Sequence, residues 1–69
     1  RISPQEVADL LNDLPAEQRE VLSLRLVAGL TVDQVAAVMG KSAGAVKQLQ
    51  RRALIRLREQ SAVKEYVAP

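Results

Sequence analysis

Between Thr31 and Arg58 the chain carries two helical repeats on either side of a glycine, and that pairing limits what it can fold into. Val32, Val35, Ala36 and Met39 fall at i, i+3, i+4 and i+7, one buried face of a short helix. Thr31 ahead of them is a natural N-cap, and Gln34 three residues on completes a capping box. Gly40 can take the left-handed conformation that ends a helix, and Ser42 can cap the next one. Two helices joined by a turn of about three or four residues containing Gly make a helix-turn-helix.

The second helix shows what the arrangement serves. With Val46 facing the core and a step of about 100° per residue, Ala53 and Leu57 lie within about 20° of it and Leu49 about 60° to one side. Gly44, Lys47, Gln48, Arg51 and Ile55 point the other way, flanked by Arg52 and Arg58. From Lys41 to Arg58 there are six Lys or Arg and no acid, whereas residues 1–40 hold three Arg against six acids. The net charge of +2 conceals this separation. A charged helical face is ordinarily just solvated. Here the acids are missing from the same stretch, and a capped support helix and a Gly turn stand directly before it. A helix of this length fits the major groove of B-DNA, where Arg, Lys and Gln reach base edges and phosphates. The residues point to DNA binding.

Composition narrows the rest. Sixty-nine residues make one small domain, near the lower limit for folding on a single core. The apolar 48% is almost entirely Leu, Val and Ala, with one Tyr and no Phe or Trp, which suits closely packed small helices rather than a sheet. Without Cys there is no disulfide or thiolate metal site, and without His the commonest metal ligand and acid–base group is gone. No metal or other cofactor is expected. Catalysis is the poorest reading: Asp9, Asp13, Glu17, Glu20 and Asp33 are scattered singly, and Ser23 and Ser42 have no His to activate them. Gly40-Lys41-Ser42 lacks the Gly-rich loop that a phosphate site needs, and is better read as the turn. The apolar runs are too short to span a membrane, and no secretory signal is present. The chain begins at Arg1 instead of Met, and we expect an excised domain of something longer.

In chain order, Ser3-Pro4-Gln5-Glu6 reads as a helix start, and Val7, Leu10, Leu11 and Leu14 follow at helical spacing. Pro15 ends that helix and opens a second, expected to run to about Ala28 with Gly29 as its stop. The apolar positions Val21, Leu22, Leu24, Leu26 and Val27 cover more than one face, a surface that either serves a partner or is used up inside so small a domain. After Glu59 the periodicity fades, and fraying is expected beyond Ser61. The expected architecture is all-α: a small four-helix domain over residues 1–60, ending in a helix-turn-helix without a wing, with a tail over 61–69.

These residues resemble region 4 of bacterial sigma factors of the sigma-70 superfamily, especially the extracytoplasmic-function (ECF) group. The resemblance runs from Val7 to Glu59. Its pieces are Leu14-Pro15-x-x-Gln18-Arg19-x-Val21-Leu22, Leu24-Arg25, Gly29-Leu30-Thr31, Val35-Ala36, Met39-Gly40, Ser42-x-Gly44-Ala45-Val46-Lys47 and Arg52-Ala53-Leu54-x-x-Leu57-Arg58. Their order and spacing carry the likeness more than any single piece. The resemblance implies a bacterial, cytoplasmic, nucleoid-associated module whose recognition helix enters the major groove at the −35 promoter element. It implies DNA-facing roles for Lys47, Gln48, Arg51 and Arg52, with Ser42, Gly44 and Ala45 near the helix start and Arg56 and Arg58 on phosphates. It implies an RNA polymerase β-flap surface around Leu10, Leu11, Leu14, Leu22, Leu24, Arg25 and Leu54, for which an anti-sigma factor often competes. No membrane or small-molecule substrate is implied. The chain departs from many relatives at Leu49, where they carry Arg, and at Gln50, where they carry an apolar residue. Gln50 is expected to tuck its methylenes inward and send its amide out.

Two other readings compete. A LuxR-type regulator output domain would account for Glu20-Val21-Leu22, Gly29-Leu30-Thr31 and Val46-Lys47, but that family usually has His where this chain has Leu49. Leu14-Pro15, Gln18-Arg19 and Arg52-Ala53-Leu54 fit the sigma pattern better. A domain whose main ligand is another protein's helix would explain the excess apolar surface of the second helix.

Overall fold

Prolines and glycines set where the helices start and stop in the computed structural model, which describes residues 4–67. Helix α1 (Pro4–Asn12) opens on Pro4, whose missing N–H is of no consequence at a first helical position. Its expected cap, Ser3, and the side chain of Val7 lie outside the described residues. The helix tightens as it ends, with Leu14 N–H donating to Leu11 O at 3.1 Å, and Pro15 then starts α2 (Ala16–Leu22) by accepting from Arg19 N–H at 2.9 Å.

The second helix does not run to Ala28 as one regular helix. It widens into a π-helical segment, Ser23–Val27, in which Ala28 N–H reaches back five residues to Ser23 O at 3.1 Å. Closing each turn one residue later shifts the phase of the side chains beyond it. Leu24 and Arg25 stay partly buried while Leu26 and Val27 are turned out, 62% and 73% exposed.

Helix α3 (Val32–Met39) has the whole capping box: Gln34 N–H donates to Thr31 Oγ1 at 3.1 Å, and Thr31 N–H donates to Gln34 Oε1 at 2.8 Å. Gly40, at φ 67°, reverses the chain with its N–H on Ala36 O. Ser42 caps α4 (Ala43–Val67), its Oγ accepting from Ala45 N–H at 3.1 Å. The backbone of α4 stays helical through Val67, not only to Ser61. Glu, Gln, Ala and Lys over that stretch are good helix formers even where no apolar period demands a helix. Among the described residues these four helices and the π segment are the only regular elements, and the fold is all-α.

Packing is organised in two aliphatic clusters that share α4. Leu11 and Leu14 from the α1 end, Leu22 from α2 and Ala53 from α4 form one, with Leu57 against it. Val21 from α2, Val35 and Ala36 from α3 and Val46 from α4 form the other, with Leu24, Leu30, Val32, Met39 and Leu49 at its edge. Leu10 is buried as well, and among the described residues no polar or charged residue is buried. Val46 and Ala53 are both fully buried, so the helical phase read from the sequence holds for α4.

One polar clamp braces this scaffold. Arg25 Nε donates to Gln50 Oε1 at 2.9 Å, and Arg25 Nη1 donates to Leu30 O at 2.8 Å. The π segment, the loop before α3 and α4 are thereby joined by one guanidinium. This corrects one expectation, since the Gln50 amide turns to Arg25 instead of to solvent. Arg25, expected on the partner surface, is partly buried and commits two of its donors within the fold. Arg25→Ala leaves both acceptors without their donor, a cost of about 1–3 kcal/mol. In a domain of this size that lowers Tm by at least about 4 °C, measurable by circular dichroism; unchanged melting would show the clamp to be idle.

Candidate nucleic-acid interface

The outward side of α4 is built by the same period that buries its inner side. Because Val46 and Ala53 face the core, Lys47, Gln48, Arg51, Arg52, Arg56 and Arg58 are all exposed. The first acid along α4 is Glu59. The turn Gly40–Ser42 holds α3 and the start of α4 close together and is tied down twice. Lys41 N–H donates to Ala36 O at 3.0 Å, and Lys41 Nζ forms an ion pair with Glu17 Oε2 at 2.7 Å. Lys41 is thus partly neutralised at the base of α2. Among the described residues the other five cations, Lys47, Arg51, Arg52, Arg56 and Arg58, form no ion pair.

Ser42 and Gly44 are exposed, and Ala45 is half-buried. The Ser42 hydroxyl accepts from the Ala45 N–H and keeps its own hydrogen to donate elsewhere. Nothing in the fold demands a glycine at 44: a Cβ there would meet only Ser42 Oγ, at 4.0 Å. Along the helix, Gln48, Arg51, Arg52 and Ile55 line one shallow open depression. Ile55, which the helical phase puts on this side, is not among the DNA-facing residues expected from the sequence. Its i+7 relation to Gln48 is the signal that marks it.

The expected partner surface is rearranged. Leu10, Leu11, Leu14 and Leu22 lie in the core, 8%, 6%, 4% and 1% exposed. A domain this small needs them inside, so they offer a partner little area. Leu24 is partly buried against the Val21 cluster, and Leu54 on α4 is 45% exposed. What does open to the surface is an apolar groove of about 540 Å³ between α1 and the second helix, lined by Ala8, Leu11, Leu24, Val27 and Ala28 with Arg19 at its rim. Among the described residues no three His, Cys, Asp or Glu come together as a metal site. Among them, too, no helix is long and apolar enough to cross a membrane.

The family described as sigma-70, region 4 matches residues 10–59. Among curated proteins the chain is similar to the ECF RNA polymerase sigma factor SigD of Mycobacterium tuberculosis, 50% identical over 52 residues, which is 75% of this chain and 24% of SigD. It is similar to the ECF RNA polymerase sigma factor ShbA of Streptomyces griseus, 51% identical over 49 residues, 71% of this chain and 26% of ShbA. The ECF RNA polymerase sigma factor BldN of Streptomyces coelicolor is 42% identical over 53 residues, 77% of this chain and 20% of BldN. The chain spans about a quarter of the length of these curated relatives or less. The family match takes in every buried core residue from Leu10 to Ala53 and the exposed face of α4 with them. On that ground the chain belongs to the sigma-70 region 4 family.

Proposed function

We propose that this chain is the promoter-recognition module of an ECF sigma factor, laying α4 in the major groove at the −35 element. The observation that carries the reading is the exposed, acid-free face of α4. Among the described residues it holds five unpaired cations and Gln48, on the second helix of a tight helix-turn-helix. Lys47, Gln48, Arg51 and Arg52 reach base edges, and Arg56 and Arg58 meet phosphates that set the register. Ser42, Gly44 and Ala45 lie at the N-terminal end of α4, where the backbone N–H groups and the helix dipole favour a phosphate. The RNA polymerase β flap occupies the apolar groove between α1 and the second helix, and an anti-sigma factor competes for it. Among the residues expected to hold the flap, Leu11 and Leu24 line that groove while Leu54 belongs to the exposed side of α4.

Two phosphate contacts from Arg56 and Arg58 and a third at the start of α4 predict a log–log salt slope of about −2 to −3 for duplex binding. Arg51→Ala lowers affinity for promoter DNA by about 1–3 kcal/mol and relaxes preference at one base pair, whereas Arg56→Ala weakens all sequences alike; unchanged binding in both refutes the groove assignment. Gly44→Ala separates stability from function. An exposed helical Gly→Ala change stabilises by about 0.5–1 kcal/mol, yet the new methyl group stands between backbone and phosphate, so Tm rises while DNA affinity falls. Val27→Asp, in a side chain 73% exposed, leaves melting unchanged and abolishes binding to an isolated β-flap fragment in a titration; retained binding would move the flap elsewhere.

A further inference from the structure

We infer that Ile55 is a specificity-determining residue that reads a thymine through its 5-methyl group in the major groove. The inference rests on the reading of α4 as the DNA helix and deepens it. Ile55 is 47% exposed in the middle of the face that carries the cations, where a branched aliphatic side chain gains nothing from water. It is not isolated there: Gln48, Arg51, Arg52 and Ile55 share one depression, three polar donors around one apolar wall.

Their positions follow i, i+3, i+4 and i+7, the same four-place spacing with which the homeodomain recognition helix reads its major groove. From Gln48 to Ile55 the helix rises about 10.5 Å, close to three base-pair steps of about 3.4 Å each. A helix lying along the groove therefore brings Ile55 to a base pair beyond those that Gln48 and Arg51 reach. Thymine is the only base that shows an apolar group in the major groove, its C5-methyl beside the O4 acceptor. A site with Arg donors and one apolar wall matches that pair of features. Ile is also stiff at χ1 in a helix, so the wall is already set before binding.

The test uses the 69-residue chain. Wild type and Ile55→Ala are each allowed to enrich a randomised duplex pool. The enriched duplex is then titrated with each thymine replaced in turn by deoxyuridine, which removes the methyl group alone. One replacement is expected to weaken wild-type binding about fourfold, the worth of burying one methyl group, and to leave Ile55→Ala unaffected, while the other replacements act equally on both proteins. Because Ile55 is surface-exposed, the helical circular dichroism and melting of the variant stay at wild-type values. If Ile55→Ala shows the same loss at every thymine as wild type, or no replacement matters to either protein, the inference is wrong. Steep salt-dependent binding without any methyl effect overturns this inference and leaves the DNA reading standing; no binding of the wild type to any duplex overturns both.

Discussion

Two neighbouring residues of α2 hold this domain together. Val21 and Leu22 are 0% and 1% exposed, yet they point into different clusters, one shared with α3 and the other with α1. Successive positions on a helix diverge by about 100°, so an adjacent pair can serve two cores only if one partner lies across both. That partner is α4, which offers Val46 to the first cluster and Ala53 to the second. Fully burying a Val or Leu side chain contributes about 1.5–3 kcal/mol, against a total of about 5–15 kcal/mol for a whole domain. Each of the two is therefore a large share of what keeps α4 in place. Because they grip it at points seven residues apart, they fix its rotation as well as its distance. The rotation is what turns Lys47, Gln48 and Arg51 outward.

What can be read from the sequence is whatever depends on near neighbours. The Thr31–Gln34 capping box, the reversal at Gly40, the Ser42 cap and the phase of α4 all arise from residues within one or two turns of each other, and each stands in the structure. The basic face is legible for the same reason: once Val46 is inside, the phase of a helix decides which cations are outside. The rest is tertiary. No local rule reveals that Leu10, Leu11, Leu14 and Leu22 are buried while Leu26 and Val27 are not, because hydrophobicity says nothing of which faces find a neighbour. The π segment, the Glu17–Lys41 ion pair and the Arg25–Gln50 bond join groups that are distant along the chain or depend on how a turn closes. By sequence alone Lys41 is one cation of the basic run and Gln50 a tolerated departure, and in the structure both are parts of the frame.

The charges are sorted in a way that serves both folding and use. Ahead of Glu59 the acids lie on or between the first two helices and at Asp33, while the exposed cations of the basic run lie on α4. The fold therefore meets little like-charge repulsion inside any one element except α4 itself. There Lys47 and Arg51, and likewise Arg52 and Arg56, stand four residues apart, an arrangement mildly unfavourable to an isolated helix. The apolar stripe on the opposite side offsets it. A polyanion laid along the face would remove the repulsion, so under the proposed reading the strain in α4 and its fit to DNA have one origin.

An aliphatic core of Leu, Val and Ala also leaves a problem that the clamp addresses. Such side chains set the distance between helices well but their register less sharply, since one methyl group packs much like another. Among the described residues no buried aromatic ring keys the helices together. A guanidinium is planar and directional, and Arg25 spends two of its donors on groups that must be in the right place at once, the Leu30 carbonyl ahead of α3 and the Gln50 amide on α4. Sliding α4 along its axis would carry Gln50 out of reach of Arg25 and break this bond. The π segment turns Arg25 towards that position, which gives a physical reason for a widened turn just ahead of the helix-turn-helix. In the proposed role, where three or four side chains of α4 meet base edges, its register must be held by direction as well as by area.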